Sequence, residues 1–252
     1  MTRSEITRPD APLEKIAPGG RIGLIALATD FNSEQEFRQW LPQDVQVFTN
    51  RVLNANPLTL ENLQSMAADI SRAATGILPG LTLDAMIYGC TSGSIAIGIE
   101  KVQNLIQRSC PGIPVTNPVS AVLAALEHLG ARRISILTPY IEEVNREMVT
   151  CFQGLGIEVI NILGMGYDDD IDISGIPAEV LLENAQKACE DEADLLFISC
   201  TALRTQAVIG EIELALGKTV ISSNQALVWH SLRLIAYPGT IDAPGLLFSH
   251  GA

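Results

Sequence analysis

One short phrase occurs twice in this 252-residue chain, and that repeat constrains the fold more than any other feature. The first copy, residues 84–91, reads Asp-Ala-Met-Ile-Tyr-Gly-Cys-Thr, and the second, residues 194–201, reads Asp-Leu-Leu-Phe-Ile-Ser-Cys-Thr. In each copy an acidic residue opens an apolar run typical of a buried strand, and a Cys-Thr pair follows it. Cys90 and Cys200 are therefore expected at the ends of two equivalent strands.

Two further pairs of phrases repeat in the same order. Arg-Ile-Gly-Leu-Ile-Ala-Leu at residues 21–27 is echoed by Arg-Ile-Ser-Ile-Leu-Thr-Pro at residues 133–139. Gly-Ile-Pro-Val-Thr-Asn at residues 112–117 is echoed by Gly-Lys-Thr-Val-Ile-Ser-Ser-Asn at residues 217–224. Three phrases in order at similar spacing indicate a duplicated unit of roughly 110 residues.

Strand-like and helix-like runs alternate along the chain, which predicts an α/β fold. We expect two similar halves, each a mostly parallel sheet flanked by helices, related by pseudo-two-fold symmetry with the active site in the cleft between them. Residues 1–118 together with 226–252 form the predicted N-terminal half, which includes a returning C-terminal helix, and residues 119–225 form the C-terminal half. The predicted strands are residues 21–27, 44–49, 85–88, 115–116, 134–138, 158–163, 195–199 and 220–222. The predicted helices include residues 58–77, 120–128, 144–155, 177–190, 206–216 and 225–234.

The charge of the chain excludes several classes of partner. The formal net charge is −13 and the sequence pI is near 4.6, and the sequence has no run rich in Lys or Arg. Nucleic acid and anionic membrane surfaces would be repelled, whereas a pocket of backbone N–H groups could still bind a small anion. Apolar runs are too short to span a membrane and no signal-peptide core is present, so we expect a cytoplasmic protein.

The five cysteines fit neither a zinc site nor a disulfide framework, because their number is odd and no CxxC occurs. Cys151 and Cys189 lie in helix-like stretches as small apolar residues, and Cys110 precedes a turn. The sequence also lacks GxGxxG, GxxxxGK[ST] and HExxH motifs. We therefore expect no cofactor and no metal.

Polar side chains follow both Cys90 and Cys200 in the sequence. A cysteine at a strand-to-helix turn is helped toward the thiolate by the N–H groups and dipole of the helix. Thr91 and Ser92 could cap that helix or bind an oxyanion, and both roles can coexist. His128, His230 and His250 are not placed to act as a base, so a Cys/His hydrolase is not favoured.

Other strand ends supply further candidate substrate-binding residues. Thr29 and Asp30 follow the first strand, and Asp30 could orient a substrate amine or begin the next helix as an N-cap. Tyr140 could donate to a carboxylate or belong to the core. Asp168 lies in an acidic loop that is exposed by default, with a ligand role left open, and Thr201 follows the second thiol.

These residues resemble the aspartate/glutamate racemase superfamily. The resemblance rests on Gly-Cys-Thr-Ser at residues 89–92, Ser-Cys-Thr at 199–201 and Pro-Tyr at 139–140. It is nearest to the branch that holds maleate cis-trans isomerase, arylmalonate decarboxylase and the ectoine-utilisation EutA-type proteins. The resemblance implies that Cys90 and Cys200 flank the substrate carbon, that Tyr140 binds a carboxylate, and that the enzyme is a homo-oligomer. It also implies that Thr91 and Ser92 help to hold an enediolate-like oxyanion.

Two positions depart from that pattern. Maleate isomerases typically carry asparagine where this chain has Asp30 and, approximately, Asp168, and an ionised Asp accepts hydrogen bonds but cannot donate to a substrate carboxylate. The decarboxylases usually lack the first cysteine, which this chain keeps. The sequence therefore favours a cofactor-independent racemase or isomerase of a small carboxylic acid that carries a neutral or cationic end, such as an amino acid. Maleate cis-trans isomerisation by covalent cysteine addition, arylmalonate-type decarboxylation and a binding protein without turnover stay open.

Overall fold

The first half of the chain is a four-stranded parallel sheet with helices between the strands. In the computed structural model, which describes residues 3–8 and 10–249, the strands of this half are β1 (Gly20–Leu27), β2 (Val45–Val52), β3 (Ala85–Tyr88) and β4 (Val115–Thr116). Between these strands lie α1 (Ser33–Trp40), α2 (Leu60–Ser65), α3 (Ala67–Thr75), α4 (Thr91–Ile97) and α5 (Ile99–Ser109), and α6 (Pro118–Leu129) follows β4.

The second half repeats this arrangement. Its strands are β5 (Arg133–Tyr140), β6 (Glu158–Tyr167), β7 (Leu195–Ile198) and β8 (Val220–Ser222). Helices α7 (Glu142–Gly154), α8 (Asp170–Ser174), α9 (Ala178–Ala188) and α10 (Ile209–Leu216) lie between these strands, and α11 (Ser223–Leu234) and α12 (Leu246–Ser249) follow β8.

The order of the strands shows the duplication directly. The first sheet has the order β2-β1-β3-β4 and the second has β6-β5-β7-β8, and every strand pair in both sheets is parallel. The predicted α/β fold with two similar halves is thus confirmed. In each sheet the chain runs outward in opposite directions from two adjacent central strands: from β1 to β2 and from β3 to β4 in the first sheet, and from β5 to β6 and from β7 to β8 in the second. Such a switch point opens a crevice at the carboxyl ends of the strands.

The repeated aspartates at the start of the duplicated phrase are structural. The Asp84 carboxylate accepts a hydrogen bond from the Arg21 N–H at 2.7 Å. Its counterpart Asp194 accepts from the N–H groups of Arg132 and Arg133 at 2.9 and 2.8 Å, and these bonds lower the pKa of Asp194. Each aspartate therefore fixes the beginning of the neighbouring central strand, which sets the register of the strand that carries the thiol.

The two halves share one apolar core. Helices α6 and α11, which follow the last strand of each half, pack against each other, and α11 also contacts α1 and β3. Trp229 on α11 is fully buried in this contact. The division of the chain at residues 118/119 and the assignment of residues 226–252 to the first half stay predictions.

Some boundaries differ from those expected. The predicted helix at residues 58–77 is two helices, α2 and α3, separated at Met66, whose side chain is buried and accepts a hydrogen bond from the Tyr88 hydroxyl. Helix α10 begins at Ile209 rather than at residue 206, because residues 201–208 form an irregular loop. Strand β6 extends to Tyr167, four residues beyond the predicted end.

Candidate active site

The carboxyl ends of the central strands of both halves meet around one small cavity. Side chains from both halves line it: Leu27, Thr29, Asp30, Cys90, Thr91, Ser92, Tyr140, Asp170, Cys200, Thr201 and Ala202. The free volume between them is about 10 Å³, which is room for about one water molecule. A carboxylic acid therefore needs these side chains to move apart before it can bind.

Cys90 joins strand β3 to helix α4. Its sulfur accepts a hydrogen bond from the Gly93 N–H at 3.2 Å, as the N-cap of α4, and lies 3.7 Å from the Ser92 hydroxyl. A Cβ atom at position 93 would lie 2.9 Å from this sulfur and 2.7 Å from the Tyr88 hydroxyl. Glycine is thus needed at position 93 because the helix backbone approaches the thiol closely.

Cys200 follows β7 with an unusual backbone conformation. Its φ angle is 111°, a region that L-residues other than glycine rarely adopt and that marks stored strain. The Cys200 N–H donates to the Ser223 hydroxyl at 3.1 Å, and its sulfur accepts from the Ala202 N–H at 3.4 Å.

Hydrogen bonds link the two cysteine segments across the cleft. The Ser223 hydroxyl, which accepts from the Cys200 N–H, is 2.9 Å from the Thr91 hydroxyl of the first half. In the other direction, the Thr201 hydroxyl donates to the Gly89 carbonyl at 3.2 Å. These two contacts fix the Cys-Thr pair of one half against its counterpart in the other.

Both thiols are neutral in this closed arrangement. Burial, followed by the charge of Asp170, raises the pKa of Cys90 to about 12 against the opposing Gly93 hydrogen bond. Burial and Asp170 also raise the pKa of Cys200, well above the usual range of a thiol. The helix N-terminus does contact Cys90 as the sequence suggests, but desolvation outweighs it.

Tyr140 lies at the end of β5 and is 2% exposed. Its hydroxyl interacts with the Cys200 thiol and with Ser92. Burial, followed by the two cysteines, raises the pKa of Tyr140 well above its ordinary value. The neutral Tyr140 hydroxyl thus lies between the Cys200 thiol and Ser92 on helix α4.

Asp30 lines the cavity, but its carboxylate is engaged by the backbone of the residues that follow it. One oxygen accepts from the N–H groups of Asn32 and Ser33 at 2.7 and 2.8 Å. The expected N-cap role of Asp30 is wrong, because Asn32 occupies the N-cap position of α1; Asp30 lies two residues earlier and accepts from the N–H groups of that residue and of the first helical residue, Ser33. A substrate-binding role for Asp30 stays a prediction. Thr29 also lines the cavity, and its hydroxyl donates to Asp170 at 3.0 Å.

The structure brings Asp170, and not the predicted Asp168, to the cavity. Asp168 is exposed, and its carbonyl accepts from the Leu58 N–H at 2.7 Å. Asp170 is 5% exposed and accepts from the Asn54 side-chain amide at 2.7 Å. Burial raises the pKa of Asp170.

Sequence reasoning missed both Asp170 and Asn54. Asp169 caps helix α8 through the Ile171 N–H, and recognising Asp169 as an N-cap would have singled out the residue after it. Asn54 lies just past the end of β2, so the strand-end rule applied to the neighbouring edge strand would have found it.

The described residues that line the cavity include no lysine, arginine or histidine. His230 instead bonds to the Thr116 hydroxyl at 2.8 Å, and the His128 ring packs at a tilt against Trp229, while His250 lies outside the described residues. Cys110, Cys151 and Cys189 are half-buried away from the cavity. Within residues 3–8 and 10–249, no group of three or more His, Cys, Asp or Glu side chains could hold a metal ion, and no helix there is long and apolar enough to cross a membrane.

Comparison with known proteins finds relatives in one branch. The chain matches the profile of the Amdase family, arylmalonate decarboxylase, over residues 41–248. It is 24% identical over 207 residues to the maleate isomerase of Alcaligenes faecalis, covering 79% of this chain and 80% of that protein. It is 30% identical over 140 residues to the arylmalonate decarboxylase of Bordetella bronchiseptica, covering 55% of this chain and 58% of that one.

Solved structures of the same branch share the fold. The maleate isomerase of Pseudomonas putida S16, a cysteine-to-alanine variant with maleate, superposes with a TM-score of 0.84 at 21% identity, covering 92% of this chain and 98% of that one. A Nocardia farcinica maleate cis-trans isomerase mutant with a covalently bound succinylcysteine intermediate gives a TM-score of 0.84 at 19% identity, covering 92% and 99%. The predicted branch is confirmed, and since the family profile spans most of its length, the chain belongs to the arylmalonate decarboxylase family.

Proposed function

We propose that this chain is a cofactor-independent isomerase of a small carboxylic acid, with Cys90 and Cys200 as its two reacting groups. One observation carries the proposal: the two thiols, from equivalent strand ends of the two halves, line the same small cavity. Thr91, Ser92, Tyr140 and Thr201 supply hydroxyl groups around them. Hydroxyl donors can stabilise the negative charge that develops on a carboxylate when the neighbouring carbon loses a proton.

Two opposed thiols suit proton exchange at one carbon. A thiolate formed by loss of a proton to solvent removes the proton next to the substrate carboxylate and becomes a thiol. The opposite thiol then delivers its own proton to the other face of the carbon and becomes the thiolate. The configuration is inverted, the protons balance, and no oxidant or cofactor is consumed.

The charge of Asp170 bears on the substrate. It raises the pKa of both Cys90 and Cys200, so a ligand that neutralises it would help either thiol to ionise. A substrate with a cationic nitrogen opposite its carboxylate would do this, whereas a dianion would add to the effect of Asp170. We therefore favour racemisation of a small nitrogen-containing acid, an EutA-like role, as the specific reaction.

Maleate cis-trans isomerisation is the second candidate. The relatives named maleate isomerase and the succinylcysteine intermediate of the Nocardia farcinica enzyme favour it. Here a thiolate adds to one alkene carbon while the other thiol protonates the next. Rotation about the resulting single bond and reversal of both steps release the trans isomer.

The experiment uses purified protein in deuterated water with three probes: single enantiomers of small amino acids, maleate, and phenylmalonate. NMR follows deuterium at the α carbon and the appearance of fumarate, and released carbon dioxide reports decarboxylation. The variants are Cys90→Ala, Cys200→Ala and the matched control Cys151→Ala, which removes a half-buried thiol outside the cavity.

We expect the enzyme to turn over one class of probe. The turnover rate should fall about 100-fold or more in Cys90→Ala and in Cys200→Ala and stay at the wild-type value in Cys151→Ala. Full turnover by Cys90→Ala or Cys200→Ala would overturn the two-thiol proposal. Carbon dioxide release that survives Cys90→Ala but not Cys200→Ala would replace it with an arylmalonate-type decarboxylase. A cytoplasmic location and a homo-oligomer stay predictions.

A further inference from the structure

The segments that follow the two cysteines are held in different ways. After Cys90, helix α4 begins at once, and helical hydrogen bonds such as Ser94 N–H to the Cys90 carbonyl fix the backbone. After Cys200 no helix begins until Ile209. Residues 201–206, here called the Cys200 loop, therefore need other partners for their backbone groups, because buried N–H and C=O groups are rarely left unpaired.

Side chains from outside the loop provide those partners. The Asn32 amide donates to the carbonyls of Thr201 and Leu203 at 3.1 and 3.0 Å. The Asn224 amide donates to the Thr201 carbonyl at 2.8 Å. Asn32 precedes α1 in the first half and Asn224 lies in α11, so the loop is clamped across the cleft.

Glu36 on α1 contacts both the Cys200 loop, at Gln206, and the Asn224 side chain that holds this loop. It is 3% exposed, and one carboxylate oxygen accepts from the Gln206 N–H at 2.8 Å. The other accepts from the Asn224 amide at 2.8 Å, the same amide that holds Thr201. Burial raises the pKa of Glu36 to about 7, so at pH 8 the carboxylate is ionised. Bonds to a charged acceptor are stronger than neutral ones, and their loss would leave buried donors unpaired.

We propose that Glu36 is a positioning residue for Cys200. Together with Asn32 and Asn224 it holds the Cys200 loop in the shape that keeps Cys200 at a φ of 111° and its thiol in the cavity. A strained backbone of this kind persists only where its surroundings over-determine it. The inference rests on the proposed role of Cys200 as a reacting group.

The alternative is that Glu36 merely attaches α1 to the second half. Glu213 offers a matched control, because it is also a buried carboxylate and accepts from the N–H groups of Val220 and Leu246, both at 3.0 Å. It makes no hydrogen bond to the Cys200 loop among the described residues. Its loss should weaken the protein without moving Cys200.

The test measures the alkylation rates of Cys90 and Cys200 by iodoacetamide in the same molecules at pH 8, using peptide mass spectrometry. In Glu36→Ala we expect Cys200 to react about tenfold faster or more, the change typical of lost hydrogen bonds to a charged group, while Cys90 stays near its wild-type rate. Glu36→Gln should give a smaller rise, because the amide oxygen still accepts from Gln206. Glu213→Gln should leave both rates unchanged.

Unchanged rates, or an equal rise at Cys90 and Cys200, would overturn the proposal. If Glu36→Ala does not fold, Asn32→Ala decides, since it removes two bonds to the same loop and the Asn32 side chain makes no capping bond to α1. The readout needs no turnover. A failure of the isomerase proposal, seen as full activity in Cys200→Ala, is thus distinguishable from a failure here.

Discussion

Replacing Asp170 by asparagine is expected to make both cavity thiols more reactive. The carboxylate lies among the residues that line the cavity, and after burial it is the largest cause of the raised pKa of Cys90 and of Cys200. Asparagine has nearly the same shape and can still accept from Thr29 and Asn54 through its amide oxygen. The substitution therefore removes a charge and keeps most of the local structure.

The size of the effect follows from the pKa of Cys90. With a pKa of about 12, the thiolate fraction at pH 8 is about one in 10⁴. Removing a neighbouring like charge lowers a pKa by about one to two units. Because the thiolate is the species that reacts, alkylation of Cys90 should accelerate about 10- to 100-fold.

The assay is iodoacetamide labelling at pH 8 with separate quantification of each cysteine peptide. Asp168→Asn is the charge control, because it removes the same charge two residues away at an exposed position. Asn54→Ala is the access control, because it removes the bond from Asn54 to Asp170 without changing the charge of the cavity. Only Asp170→Asn should greatly increase the alkylation rates of both Cys90 and Cys200.

Two results would refute this reasoning. Equal acceleration in Asn54→Ala and Asp170→Asn would mean that opening of the cavity, not charge, limits the reaction. An Asp170→Asn rate equal to that of wild type would mean that Asp170 does not control the thiols. The argument for a nitrogen-containing substrate, which depends on that control, would fail with it.

Three further predictions concern single residues. Because Cys200 has a φ of 111°, Cys200→Gly should be about 1 kcal/mol or more stable than Cys200→Ala in urea unfolding; equal stability would mean the backbone is not strained. Burial raises the pKa of Glu36 from 4.5 to about 7, so native Glu36 keeps its proton where an unfolded glutamate loses it. The free energy of unfolding of wild type relative to Glu36→Gln should thus fall by about 3 kcal/mol as the pH rises from 4.5 to above 7, and a pH-independent difference would contradict the buried carboxyl. Gly93→Ala should lower the free energy of unfolding by about 1–3 kcal/mol and displace the Cys90 thiol, seen as altered alkylation of Cys90 relative to Cys200. Wild-type stability would show that the 2.9 Å approach to the sulfur relaxes easily.

The sequence predicted the framework well because the framework is periodic and duplicated. All eight predicted strands are present, and the central strands place Cys90, Cys200 and Tyr140 at their carboxyl ends. Local patterns decide these features: apolar runs form the strands, and the strand-end rule locates the cavity.

The choice between Asp168 and Asp170 could not be made in the same way. Both lie in one acidic run, and which of them turns inward depends on the cap that Asp169 provides and on Asn54, more than 100 residues away in the chain. The side chains that hold the Cys200 loop are equally remote from it in the chain, since Glu36 bonds to Gln206 and Asn224. Partners this far apart become visible only when both halves are placed together.

The differences between the halves make the two thiols unequal, which the repeat alone would not do. A perfect repeat would give two thiols in identical surroundings, with neither favoured to lose its proton first. Here Cys90 caps a helix and accepts from Gly93, whereas Cys200 lies in an irregular loop beside the neutral Tyr140 hydroxyl. Helix α4 therefore favours the anion at Cys90 more than the Cys200 loop does at Cys200. The duplicated strands bring two thiols to one cavity, and the unlike segments that follow them set which thiol is the more readily ionised.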